Sequence, residues 1–391
     1  MSLPDHLLPE MQIEPPAEPA PASPPVQINP GAENPAWSGL DLLIIALVFL
    51  AALFLFSGLF FAVALRGSAG VSATELSRNP GPQIVVPSMT LAYVAMLGAM
   101  YVLVTRHRRR HFWQAVGWHW PSGWWVAYMF AGVLLAGGLA QLSRFLPIPK
   151  SLPMDRFFQN PQGAYLMMLF GVAVAPLAEE MLFRGFLYPV LDRWLEALFM
   201  TPPQIRRAAM SLLVVAGWGY AGHRFSLPRT FLASIVLVLV IGAVYIARSP
   251  GRHAQRLLLP GAVLVAWGLA ARSISDPVFG YITAVLLIVA VALGWVGWSR
   301  PLGASAAGTW GRLLAVLITS LGFALIHSEQ LGRAWGPLLV LLIVGLVLTL
   351  TRVVTRALAP GFLIHVGYNL TLFVGLYLGT DHFRHLERMT Q

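Results

Sequence analysis

The feature that most constrains this chain is a succession of apolar runs long enough to cross a bilayer. A membrane-spanning helix needs ~20 mostly apolar residues. Stretches 41–65, 84–104, 123–143, 163–190, 229–247, 279–298, 311–327, 335–351 and 360–379 meet that demand. Two shorter runs, 208–222 and 256–271, read as tilted, re-entrant or interfacial pieces, so the total is nine to eleven. Lipid offers no partner for a free N–H or C=O, so runs of this length become helices. Composition agrees, with 57% hydrophobic and only 11% charged residues and a mean hydropathy of +0.70. The expected fold class is all-α: a polytopic transmembrane helix bundle, integral to the membrane and multi-pass.

Residues 1–37 stand apart. They are rich in proline, lack Lys and Arg, and carry Asp5, Glu10, Glu14, Glu18 and Glu33, the composition of a disordered tail. The expected organisation is that tail, N-terminal transmembrane helices over 41–143, a core over 163–379 with an inserted helical segment at about 207–298, and a polar tail over 380–391. The net charge of +10 is spread over short loops between apolar runs. That is the positive-inside bias of membrane proteins, not a nucleic-acid-binding face, so the bilayer is the expected partner and nucleic acid is not. The densest basic cluster, Arg106 to Arg110, marks the cytoplasmic side. Arginine supplies all basic residues but Lys150, a usage suggesting a bacterial coding bias and a bacterial inner membrane. Cysteine is absent, which excludes disulfides and thiol nucleophiles.

The 16 acidic residues are the scarce resource. Most sit in the tail, in polar loops or at span edges, and Glu329 follows just behind an apolar run. Only Glu179 and Glu180 lie inside one. A charge at the bilayer centre costs about 2.5–3.5 kcal/mol on insertion scales, so two adjacent carboxylates there imply a use. Glu180 and Arg184 are four apart and share a helix face, where the guanidinium can grip the carboxylate. Glu179, turned about 100° away, lacks that partner, and a desolvated carboxylate without a cation suits a general base. Two histidines also sit in apolar runs, His327 at the end of one and His365 inside another, with Asn369 one turn beyond His365. A carboxylate pair, two imidazoles and an amide on apolar helices supply a base, a polariser and donors for an oxyanion.

These motifs resemble those of the CAAX-protease and bacteriocin-processing family of intramembrane proteases, which includes the type II prenyl-protein proteases. Glu-Glu-x-x-x-Arg appears as Glu179 to Arg184, Phe-x-x-x-His as Phe323 to His327, and His-x-x-x-Asn as His365 to Asn369. The resemblance implies peptide-bond hydrolysis on a membrane-associated protein or peptide. It makes Glu179 the base, His327 its polarising partner, His365 and Asn369 the oxyanion donors, and Arg184 the holder of Glu180. The family's description as metalloproteases makes zinc the metal to consider, held by Glu180, His327 and His365, although these roles need no metal. His223 is a weaker alternative to His327, because position 219 is Gly rather than Phe. A proton-coupled transporter and a non-catalytic scaffold or bacteriocin immunity protein are the rival readings. One tension is geometric. If both spans start on the same side, His327 lies near the far end of one beginning at Arg312, while His365 lies about 8 Å into one beginning at Pro360.

Overall fold

The computed structural model describes residues 35–67, 72–200 and 304–386. Residues 1–34 of the expected tail, His223 and the apolar runs between 208 and 298 lie outside the described residues, whereas Trp37 at the end of that tail is buried, its indole N–H donating to the Phe186 carbonyl at 3.0 Å. Every described element is helical, and seven helices are long and apolar enough to cross a membrane. They correspond to the seven expected runs that fall within the described chain. The protein is an integral, multi-pass membrane protein with an all-α fold.

Helices α1 (Gly39–Gly67) and α2 (Pro82–Val102) pack side by side. Helix α3 (Trp125–Ser143) follows a short loop-rich stretch. A single rod then runs through α4 (Pro161–Leu169), a π turn at Phe170–Val174, α5 (Ala175–Glu180), a second π turn at Met181–Leu187, and α6 (Tyr188–Met200). Asn160 starts it as an N-cap, its Oδ1 accepting the Gly163 N–H at 2.8 Å, with Pro161 in the first turn, where a missing N–H costs nothing. The rod is longer than the apolar run 163–190 suggests. Asp192 and Glu196, read from the sequence as span-edge or loop acids, are buried on its continuation, and Asp192 pairs with Arg312 at 3.7 Å.

Helices α7 (Ala304–Ile326), α8 (Trp335–Thr355) and α9 (Ala359–Gly379) complete the bundle. Helix α7 lies against α6 and α8, and α9 against α3. The α3–α9 contact is a backbone-to-backbone approach. A Cβ on Gly132 would collide with the Ile364 carbonyl, and one on Gly367 with that of Met129. Two apolar clusters flank the rod. Trp37, Tyr93, Met96, Met181 and Phe186 belong to one, and Phe183, Phe323, Leu348 and Ile364 to the other. Glu179 and Glu180 sit on the rod between them.

The depth gap between the histidines is narrowed because α9 enters beside the body of α8: a Cβ on Gly361 would lie 3.6 Å from the Leu348 carbonyl, and His365 is about 6 Å further in. Ser320 packs on Gly345 near the middle of α8, where an added Cβ would come 2.9 Å from the Ser320 carbonyl. From that contact α7 runs back sixteen residues to Ala304, about 24 Å, whereas α8 has ten left before Thr355, about 15 Å. Helix α7 therefore starts about 9 Å beyond the end of α8. The His327 ring also folds back over its own last turn, its Nδ1 bonding the Phe323 carbonyl at 2.8 Å.

Candidate active site

The rod is distorted on both sides of the carboxylates, as helices often are at functional sites. In the first π turn the Ala175 N–H bonds the Phe170 carbonyl, five residues back. The next donor in that register would be residue 176, a proline without an N–H. The Gly171 carbonyl is thus left without a helical donor, and Asn369 Nδ2 fills the gap at 2.6 Å. The amide that the sequence offers as an oxyanion donor is also the latch between α9 and the bulged rod.

Glu180 and Arg184 are completely buried. Arg184 Nη1 donates to Glu180 Oε1 at 2.9 Å, Nε to Thr349 Oγ1 at 3.2 Å and Nη2 to the Gly345 carbonyl at 3.1 Å. Its guanidinium lies 4.5 Å from the centre of the Phe323 ring. Ser320 Oγ donates to the Val316 carbonyl at 2.7 Å and lies 3.3 Å from Thr349 Oγ1, and Thr349 donates to the Gly345 carbonyl at 2.7 Å. His365 Nδ1 lies 3.0 Å from Glu180 Oε1. A buried charge is tolerated when it is paired and its remaining donors are satisfied, and this guanidinium meets that condition with all three nitrogens.

Glu179 sits differently. Tyr93 donates its hydroxyl to Oε1 at 3.4 Å. His327 Nε2 is 3.8 Å from Oε1, and His365 Nε2 is 3.8 Å from Oε2. A carbonyl only accepts, so His327 Nδ1 carries a proton in its bond to Phe323, and Nε2 is the ring edge turned toward Glu179. Both imidazoles are oriented from behind, by Phe323 O and by Glu180, and both turn Nε2 to the same carboxylate. Glu179 and His365 are buried, while His327 retains 19% side-chain exposure, making it the partly open edge of the site.

The structure therefore gathers Glu179, Glu180, Arg184, His327 and His365, and Asn369 is tied one turn along the same helix. The hypothetical zinc set of Glu180, His327 and His365 does not converge. Glu180 Oε1 is occupied by Arg184 and by the Nδ1 edge of His365, whereas His327 pairs with Glu179. Among the described residues no group of three His, Asp or Glu has metal-holding geometry. Sequence reading missed Tyr93, Thr349 and Ser320. The available signal was a phenol or hydroxyl inside an apolar run, a group that must find a partner when buried.

A carboxylate faced by two imidazoles thus lies within the helix bundle beside a buried carboxylate–guanidinium pair. Residues 161–252 and 273–371 match the family described as type II CAAX prenyl endopeptidase, Rce1-like. The chain belongs to this CAAX-protease family and is, at that level, an intramembrane endopeptidase. The two matched segments contain all three motifs and are interrupted between 252 and 273. No curated protein and no solved structure matches the chain.

Proposed function

We propose that the protein hydrolyses a peptide bond of a membrane-associated protein or peptide, with Glu179 as general base on a water molecule. The observation that carries this reading is the convergence of both histidine Nε2 atoms on the Glu179 carboxylate, each at 3.8 Å. That spacing is too long for a direct hydrogen bond and suits a bridging water. Such a water donates one hydrogen to Glu179 Oε1 and the other to the Nε2 lone pair of His327, which turns an oxygen lone pair toward the scissile carbonyl. As the C–O bond forms, its proton moves to Glu179. When the C–N bond breaks, Glu179 returns that proton to the leaving amine.

The carbonyl oxygen becomes an oxyanion and needs donors. Glu180 engages Nδ1 of His365 and leaves Nε2 as the ring edge that faces the oxyanion, where its N–H is the donor in this reading. Asn369 uses one amide N–H on Gly171 and retains a second for the oxyanion. Arg184 holds Glu180 in place. The near-exclusive use of arginine over lysine supports a bacterial inner membrane as the setting.

The test is cleavage of a membrane-associated peptide by the reconstituted full chain. Glu179→Ala is expected to abolish cleavage, and His365→Ala to lower the rate about 10²–10³-fold, the usual loss for one oxyanion donor. Full activity in Glu179→Ala would overturn the assignment.

A further inference from the structure

A second chemically distinct site lies at the end of α2, away from the carboxylates. The helix finishes in a π turn, Leu103–His107, after which Arg109 adopts the left-handed conformation with φ of 52°. The chain reverses there, and the Arg110 N–H bonds back to the Val104 carbonyl at 3.0 Å. The returning segment is pinned by Phe112, which is buried and lies 5.4 Å from the Tyr101 ring, centre to centre. Between the helix end and the returning segment is a cleft of about 710 Å³, lined by Tyr101, Thr105, Arg109, Arg110, His111 and Trp113 among others.

Three features give this cleft a ligand class. Its charge is unneutralised: Arg108 pairs with Asp41, but among the described residues Arg109 and Arg110 form no ion pair. Its walls are amphipathic, because Tyr101 and Trp113 are each more than half exposed, with ring faces available to glycerol and upper acyl chain. Its depth is interfacial: it begins where the apolar span Pro82–His107 ends, and exposed Trp120, Trp124 and Trp125 follow nearby in the chain, as in the aromatic belt at a membrane surface.

We propose that this cleft binds the phosphodiester headgroup of an anionic phospholipid, with Arg109, Arg110 and His111 facing the phosphate and Tyr101 and Trp113 flanking the glycerol. Basic pockets on membrane proteins recognise such headgroups through shared charge and hydrogen bonding. The left-handed turn at Arg109 sets two adjacent guanidinium side chains on one rim of the cleft. The site is independent of the peptidase chemistry.

The experiment is native mass spectrometry of the full chain in neutral detergent, titrated with phosphatidylglycerol or phosphatidylcholine. The expected result is preferential retention of phosphatidylglycerol. Each cationic side chain at an anionic surface contributes about a fivefold factor, so Arg109→Gln with Arg110→Gln should weaken that retention about 25-fold. Arg144→Gln, at an exposed arginine following α3, should leave it within about twofold. The paired Arg109→Lys and Arg110→Lys variant, which keeps the charge, should retain most of the binding and covers the case in which the glutamine variant does not fold. Wild-type retention in a folded glutamine variant, loss of binding in both the glutamine and lysine variants, or an equal loss in Arg144→Gln would overturn the proposal. Displacement of phosphatidylglycerol by glycerol 3-phosphate at equal concentration would also overturn it, reassigning the cleft to a soluble phosphate.

Discussion

Glu179 and Glu180 are neighbours in the chain and occupy two different kinds of protein interior. The Glu180 region is fully buried and held by short contacts through Oε1, with Arg184, Thr349, the Gly345 carbonyl and His365 within 2.9–3.2 Å of their partners. The Glu179 region is looser, with contacts of 3.4–3.8 Å from Tyr93, His327 and His365. A helix turns adjacent residues about 100° apart, so one peptide unit divides a framework carboxylate from the one proposed to react. Short bonds hold a charge in place, whereas longer ones leave room for the atoms that must move.

Mutation of the two residues should give opposite phenotypes. The largest expected effect is on rate in Glu179→Gln. Removing a general base costs about 10²–10⁴-fold, with thermal stability in detergent little changed because no buried cation loses its partner. Glu180→Ala should behave in the opposite order. It leaves Arg184 buried without its carboxylate, a loss of about 3–5 kcal/mol in stability, measurable as a large fall in Tm or as failure to accumulate. If Glu180→Ala melted like wild type and Glu179→Gln unfolded, the division of labour would be refuted.

Smaller changes sharpen the boundary between the two regions. Thr349→Val removes the acceptor for Arg184 Nε, and an unsatisfied buried donor costs about 1–3 kcal/mol. A lower Tm is expected, with catalytic rate per folded molecule preserved. Tyr93→Phe should give the smallest effect. Its hydrogen bond to Glu179 is long, and a net contribution of about 0.5–1.5 kcal/mol corresponds to a rate change of at most about tenfold. That change should appear in kcat and leave Tm near the wild-type value, because the phenyl ring retains its stacking between Phe49 and Phe170.

Much of this was legible in the sequence. The run 335–351 is helix Trp335–Thr355 and the run 360–379 is helix Ala359–Gly379, because burial of apolar surface in lipid is a local sum over consecutive side chains. The Glu180–Arg184 pair was readable for the same reason, since four residues on a helix fix a contact without reference to the rest of the fold. Tyr93 was not readable as a partner of Glu179, because 86 residues separate them. The Asn369 to Gly171 bond was also hidden. It depends on a π turn whose missing donor comes from Pro176, and no periodicity of apolar residues reports such a turn. The continuation of the rod past 190 was underestimated because the cost of burying Asp192 is offset by Arg312 on α7, far away in the sequence.

The sequence by itself determined that this chain lives in a membrane, where its described spans lie, and which acids had no reason to be there except use. Only the tertiary structure decided that His327 and His365 both reach Glu179, with His365 bridging to Glu180 through Nδ1, and that the phenol of Tyr93 joins them. The physical reason is that helix register is set by distant interlocks. Gly345 against Ser320 staggers α7 past α8, and Gly132 with Gly367 brings α9 onto α3. Hydropathy is additive along a chain, whereas the sliding position of one helix on another is fixed by a few close contacts between residues far apart in sequence.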